Sequence, residues 1–366
     1  MPYNRRQRDD SLSVGRNEMR KAGRVRVLVV DDSAFMRKAI STMLESDPEI
    51  EVVDTARDGL EAIEKVKALN PDLVTLDVEM PRMDGLTALK HIMEEHPLPV
   101  LMVSSLTTEG AEATLTALEL GAVDFIPKDL SYVSLDIVKI KDSLLEKVKT
   151  IVRKGLRRIG PAEPKVLTPP PKRKFELVAI GVSTGGPMSL QKILPKFPPD
   201  LPAGVLIVQH MPPNFTRPLA ERLDKLSPFE VREAEDGDEV VPGRVLLAPG
   251  GKHLRVRRRG EVEVDESPVQ ALYKPSVDEL MASVARHYGP RGVGVIMTGM
   301  GHDGREGVRL LKEKGGYVIA QDETSCVIYG MPKAVVEEGL ADAILPLEEI
   351  PEHISKLFPK EGTCRA

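Results

Sequence analysis

Residues 178–187 read VAIGVSTGGP, and this stretch decides how the second half of the chain is understood. The apolar, β-branched run Leu177–Ile180 breaks off at Gly181, Val182, Ser183, Thr184, Gly185, Gly186 and Pro187. MSLQKILPKF follows with apolar residues at helical spacing, and Pro187 suits a first helical turn. The pattern predicts strand, tight turn, helix. Such a turn holds a hydroxyl at the rim of a sheet and aims backbone N–H groups beside it, which makes Ser183 a candidate nucleophile. The turn is not a phosphate-binding loop, because it lacks the Lys-Ser/Thr ending and its glycines miss the dinucleotide spacing. A Gly-flanked serine after a strand is by itself most often an ordinary turn, so the weight falls on what the rest of the chain brings to it.

The chain has 366 residues, enough for two domains with separate cores. Apolar residues make up 41% and charged residues 29%, the balance of a globular protein. A net charge of −5 argues against a general binder of nucleic acid or of anionic membranes. Two cysteines, Cys326 and Cys364, form no pairing pattern, no apolar signal segment opens the chain, and no run is long enough to span a bilayer. A reducing, cytoplasmic setting is therefore expected. Residues 1–24 are polar and Arg-rich without periodicity and read as a disordered leader, with Met19 an alternative start.

From Val25 onward, short apolar runs alternate with amphipathic segments five times before residue 150, the signature of a parallel sheet with crossover helices. In such sheets ligands bind outside the carboxyl ends of the strands. Asp31 and Asp32 follow the first strand, Asp77 the third, Ser104 and Ser105 the fourth, and Lys128 the fifth. Three carboxylates on one edge repel one another unless a cation joins them, and hard oxygen donors suit Mg²⁺. An aspartate beside Mg²⁺ can attack a phosphoryl group, with Ser104 and Lys128 steadying the product oxygens. Each residue alone has an ordinary reading as a cap or a solvated loop residue. Five strand-end positions, Asp31, Asp32, Asp77, Ser104 and Lys128, in agreement do not.

Residues 133–152 carry apolar positions at helical intervals, and the Pro- and charge-rich segment that follows, GPAEPKVLTPPPKRK, reads as an extended hinge. Past Phe175 the βαβ rhythm returns. His210 ends the run VLIVQ, and Asp303 lies in the glycine turn after GVGVIMTG. Residues 229–265 hold several short strands with Gly and Pro punctuation, expected to form an antiparallel insertion. Ser183, His210 and Asp303 each follow the carboxyl end of a parallel-looking strand and should converge on one edge. A nucleophile, a base and an orienting carboxylate need that geometry, and the chain order Ser, His, Asp matches neither the lipase-like nor the chymotrypsin-like order. His302 and His253 are rival histidines. A metal reading of His210, His302 and Asp303 lacks an i, i+4 His pair or a Cys cluster.

The segments LVVDDSAFMRKAI, LVTLDVEMPRMDGL, VLMVSSLT and GAVDFIPK resemble the receiver domain of two-component response regulators, a flavodoxin-like fold of five parallel strands. The resemblance implies Asp77 as phospho-acceptor, a Mg²⁺ site of Asp31, Asp32 and Asp77, Ser104 and Lys128 as switch and charge-sensing positions, and Phe125 as the aromatic that reports the switch. The segments IGVSTGGP, VLIVQHMPPNFT, LAPGGKHL and GVIMTGMGHDGREG resemble the catalytic domain of the chemotaxis protein-glutamate methylesterases, the CheB family. That likeness implies Ser183 as nucleophile, His210 as general base and acid, Asp303 as orienting acid, and the Met300 N–H in the oxyanion hole with Thr184 beside the nucleophile. It also implies γ-glutamyl methyl esters on chemoreceptor cytoplasmic helices as substrate, glutamine deamidation as a second activity, a chemotaxis histidine kinase as phosphodonor, and no cofactor for the esterase. The expected plan is a leader (1–24), a receiver (25–150), a linker (151–174), a doubly wound α/β esterase domain (175–358) and a tail (359–366). Two other functions fit the same architecture: hydrolysis of another protein in a non-chemotactic pathway, and a receiver-controlled binding scaffold.

Overall fold

A computed structural model describes residues 23–128, 136–155, 165–268 and 271–358. The expectations for most of the leader, the middle of the linker and the tail lie outside these residues. The first sheet has the order β2-β1-β3-β4-β5, all parallel: β1 (Val25–Val30), β2 (Ile50–Ala56), β3 (Leu73–Asp77), β4 (Val100–Ser104) and β5 (Asp124–Pro127). Every residue of β3 and β4 is buried, because crossover helices cover both faces of the sheet. Those helices are α1 (Ala34–Glu45), α2 (Gly59–Leu69), α3 (Gly85–Glu95), α4 (Thr108–Glu119) and α5 (Asp136–Gly155). Ser33, Asp58, Asp84 and Thr107 cap the first four with side-chain oxygens that accept backbone N–H groups, so each helix starts where its strand-end loop closes.

The second sheet has the order β6-β15-β14-β13-β7-β8-β10-β9. At its centre, β7 (Leu177–Val182) lies between β8 (Gly204–Gln209) and β13 (Gly292–Ile296). The chain runs outward from β7 on one side through β8, then crosses back to β13, β14 (Tyr317–Gln321) and β15 (Ala343–Leu345) on the other. The order therefore reverses beside β7, the crevice where doubly wound sheets take ligands. The helices are α6 (Gly186–Ile193), α7 (Thr216–Leu226), α8 (Val277–His287), α9 (Arg305–Glu313), α10 (Met331–Glu337) and α11 (Ile350–Leu357).

Two stretches differ from the sequence reading. Of the short strands in 229–265, β9 (Glu230–Glu233) and β10 (Arg244–Leu247) join the main sheet in parallel, and only β11 (His253–Arg258) and β12 (Glu261–Asp265) form the antiparallel hairpin. Val245, Leu246 and Leu247 are all buried, as a strand inside a parallel sheet requires, and this outweighs the turn-like Gly and Pro around them. The end of the expected linker belongs to the second domain. β6 (Lys165–Val166) pairs antiparallel with β15, and the N–H groups of Leu167 and Thr168 donate to the Asp342 carbonyl.

The two bodies touch along α4, β5 and α5. Phe125 of β5 stacks on Phe215 with ring centroids 4.8 Å apart and planes within 7°. Glu119 of α4 pairs with Arg222 of α7, and Asn214 Nδ2 donates to the Leu106 carbonyl at 3.1 Å. Leu144, Val148 and Ile151 of α5 share an apolar cluster with Ile328, against which Met300 and Val327 pack.

Candidate functional site

The residues singled out at the first sheet's edge meet in one pocket. Carboxylate oxygens of Asp31, Asp32 and Asp77 lie within 4.8 Å of one another. The Lys128 ammonium reaches Asp77 Oδ2 at 2.6 Å and Asp31 Oδ2 at 2.9 Å. Burial pushes the Asp77 carboxyl up to about 6, the neighbouring Asp31 adds to that, and Lys128 pulls the other way. Three clustered hard oxygen donors fit a Mg²⁺-sized cation. The Ser104 hydroxyl is fully buried and donates to the Gly110 carbonyl at 3.0 Å, so it is engaged with the start of α4.

At the second sheet, register sets the geometry. Val182 pairs with Gln209 across β7 and β8, so Ser183 and His210 leave neighbouring strands side by side, and the His210 N–H donates to the Val182 carbonyl at 3.1 Å. The Ser183 backbone is held from three directions. Its N–H donates to the Thr298 carbonyl at 3.0 Å, and its carbonyl accepts from Gly186 N–H at 2.8 Å and Gln209 Nε2 at 3.0 Å. The two glycines of the STGGP turn are spatial necessities. Gly185 has φ +75° with Val327 packed over it, and a Cβ on Gly186 would sit 2.0 Å from Gln209 Oε1. Thr184 is buried, and its carbonyl accepts from Thr298 Oγ1 at 2.9 Å.

Asp303 accepts hydrogen bonds from four groups. His210 Nε2 lies 2.7 Å from Oδ2, Val277 N–H donates to Oδ2 at 2.7 Å, and Asp278 N–H and Ser276 Oγ donate to Oδ1 at 3.0 Å each. Ser276, Val277 and Asp278 are the cap and first turn of α8, so the carboxylate sits on a helix N-terminus. Burial alone would raise its pKa. The His210 contact and the two backbone donors prevail and hold it down at about 2. Asp278, half-buried beside it, is pushed up to about 6 by burial and by the Asp303 charge, while the Gly307 N–H opposes. His210 thus turns Nε2 toward its carboxylate, the reverse of the nitrogen usage in chymotrypsin-type triads. The Ser183 hydroxyl itself makes no hydrogen bond among the described residues, a looseness common before substrate binds.

Of the rival histidines, His302 is exposed, while His253 is fully buried on β11. Neither is paired with Asp303. Met300 is half-buried between Gly299 and Gly301, close enough to the serine turn that a Cβ on Gly299 would lie 2.8 Å from Ser183 Cβ. Sequence reasoning missed Ser276, Gln209, Phe215 and Tyr273. The Tyr273 ring lies flat on His210, centroids 4.5 Å apart and planes within 2°. Ser276 was recoverable, since Ser276 and Glu279 have capping-box spacing before an apolar run.

A CheB methylesterase family model matches residues 178–354, and a response regulator receiver domain model matches residues 27–137. Over 362 residues the chain is 54% identical to "Protein-glutamate methylesterase/protein-glutamine glutaminase 1" of Oleidesulfovibrio alaskensis, covering 90% of this chain and 98% of that protein. The chain belongs to the CheB methylesterase family. A Nitratidesulfovibrio vulgaris relative of the same name, numbered 2, is 55% identical over 360 residues, covering 89% of this chain and 97% of its own. A Pyrococcus abyssi protein-glutamate methylesterase/protein-glutamine glutaminase is 49% identical over 341 residues, covering 90% and 93%. This CheB-family enzyme therefore carries its receiver and its esterase domain in one chain. None of its described helices is long and apolar enough to cross a membrane.

Proposed function

We propose that this enzyme is a phosphorylation-activated serine hydrolase that demethylates γ-glutamyl methyl esters, and deamidates glutamines, on the cytoplasmic helices of chemoreceptors. The observation that carries the reading is the 2.7 Å His210–Asp303 contact beside Ser183 at the reversal point of the second sheet. In the reaction, His210 Nδ1 takes the Ser183 proton as Oγ attacks the ester carbonyl carbon. Backbone N–H groups including that of Met300 receive the oxyanion, with Thr184 shaping the turn beside it. The tetrahedral centre collapses, the C–O bond breaks, and the methoxide leaves as methanol with the His210 proton. Water, deprotonated by His210, then hydrolyses the acyl-serine to glutamate. A glutamine side chain presents the same carbonyl with ammonia as leaving group, so one site serves both.

In the receiver, Asp77 is the phospho-acceptor. Asp31, Asp32 and Asp77 would hold Mg²⁺, which when bound neutralises charge on the transferred phosphoryl group. Lys128 already contacts Asp77, and Ser104 must leave the Gly110 carbonyl to reach a phosphoryl oxygen. That rearrangement starts one residue before Ser105 and at the first turn of α4, whose far end holds Arg222 of the esterase domain. The packing of α5 on Met300, Val327 and Ile328 supports a receiver that restrains the cleft until phosphorylated. A chemotaxis histidine kinase supplies the phosphoryl group, and these partners imply a cytoplasmic enzyme.

The test is methanol release from a methylated chemoreceptor fragment, with and without a small phosphodonor. Ser183→Ala should lose about 10⁴- to 10⁶-fold in kcat while still taking phosphate on Asp77. Retained release in that variant would remove Ser183 as nucleophile.

A further inference from the structure

Tyr273 belongs to no motif that the function has so far used, yet it makes the closest ring contact of the catalytic histidine. Its ring is parallel to the imidazole within 2° at 4.5 Å between centroids. On the imidazole edge, Asp303 fixes Nε2 at 2.7 Å. A hydrogen bond to one nitrogen sets where the ring is tethered but leaves it free to swing about that tether. A flat aromatic surface against its face removes the swing. The two contacts together define the ring plane, and with it the direction in which Nδ1 points.

The rest of the structure keeps the tyrosine in place. It is half-buried, and burial together with the Asp303 charge pushes its hydroxyl above the usual phenol range, so the ring stays neutral throughout the working pH range. Gly301 has φ +80° and lies under the phenol, where a Cβ would come within 3.0 Å of the hydroxyl oxygen. The Lys274 carbonyl accepts from Gly251 N–H at 3.2 Å, tying the segment to the loop after β10. Two residues further on, Ser276 hydrogen-bonds Asp303 at 3.0 Å. One short run, Tyr273 to Asp278, therefore supplies both the surface on the imidazole face and three of the donors that orient its carboxylate partner.

We infer that Tyr273 is a positioning residue for His210, and that its aromatic face, rather than its hydroxyl, sets the imidazole plane for proton transfer to and from Ser183. The inference rests on the Ser183–His210–Asp303 reading. Its physical basis is the preference of aromatic rings for stacked contact beyond the area they bury. A misaimed base slows the chemical step without weakening substrate binding, so the loss should fall on kcat and leave KM within about twofold.

The experiment compares Tyr273→Phe, Tyr273→Leu and Tyr273→Ala in the full chain. Methanol release from a methylated chemoreceptor fragment is followed in the presence of acetyl phosphate and Mg²⁺, with Ser183→Ala alongside. Tyr273→Phe should keep the wild-type kcat. Tyr273→Leu and Tyr273→Ala should each lose about three- to tenfold in kcat. The His210 ring protons, shielded by the tyrosine, should move downfield in the NMR spectra of the Leu and Ala variants and stay in place in the Phe variant. An unchanged kcat in Tyr273→Ala, recovery by Leu as complete as by Phe, or an equal loss in Phe would each overturn the inference while Ser183→Ala remained inactive. Activity in Ser183→Ala would overturn the triad reading and this inference with it.

Discussion

Asp77 and Asp303 are the same residue type at the same kind of place, the carboxyl edge of a parallel sheet, and both are almost fully buried. Their acidities part company. Asp77 is pushed up to about 6 and Asp303 is held at about 2. The difference lies in donors rather than burial. Asp303 rests on the first turn of α8 with two backbone N–H groups, a serine hydroxyl and an imidazole directed at it. Asp77 has one ammonium, shared with Asp31, and a long 3.4 Å contact to Glu79 N–H. One carboxylate is built to stay charged and hold an imidazole. The other is left short of positive partners, as the proposed role of taking a cation and then a phosphoryl group would require.

The contrast can be broken most forcefully at Asp303. Asp303→Asn keeps the shape but lets the amide favour the wrong imidazole tautomer, and kcat for methanol release should fall about 10³- to 10⁴-fold. A loss of under tenfold would mean that Asp303 caps α8 and does nothing for the base. Asp77→Asn should instead abolish phosphate uptake from acetyl phosphate and the stimulation it brings, with the unstimulated rate staying within about threefold. A stimulated rate that survives would move the acceptor elsewhere.

The acidities also predict opposite pH effects on stability. The raised Asp77 value, against 3.8 for an ordinary aspartate, favours the fold at acid pH and is lost as pH rises through about 6. Without Mg²⁺, melting temperature should therefore gain less between pH 4 and pH 7 than in Asp77→Asn, and Mg²⁺ should restore more at pH 7 than at pH 5. The lowered Asp303 value stabilises the fold above 3.8 and is lost as pH falls through about 2, so Asp303→Asn should flatten the acid limb of the melting curve. Equal Mg²⁺ gains at both pH values would detach the cation from the titration of Asp77. The smallest effect is expected at the seam between the two regions. Phe125→Ala removes the stack on Phe215, worth about 0.5–1.5 kcal/mol, and should raise the unphosphorylated esterase rate about two- to tenfold. A falling rate would mean that the stack supports the active conformation.

Most of this was legible in the chain because apolar runs announce parallel strands and the chemistry sits just past their ends. Asp31, Asp77 and Lys128 could be placed together, and so could Ser183, His210 and Asp303, without knowing any distance. Strands β9 and β10 escaped because Gly and Pro around a four-residue run look alike in a hairpin and in a parallel crossover. Tyr273 and Phe215 escaped for another reason. Both lay a ring face on a residue far away in sequence, and no spacing rule records such a pairing. Ser276 stood between, visible as a cap but not as a hydrogen-bond donor to a carboxylate 27 residues away.

The edge pairing of Lys165–Val166 with β15 has a consequence for how the two halves can part. It pins the incoming chain to the esterase sheet, and the nine residues 156–164 between α5 and that strand set, by covalent length alone, an upper limit of about 35 Å on the distance between the two points. If the receiver leaves the cleft on the proposed activation, it would stay at an effective concentration on the millimolar scale. Its return would then be a first-order event, the same in a cell with few copies as in one with many.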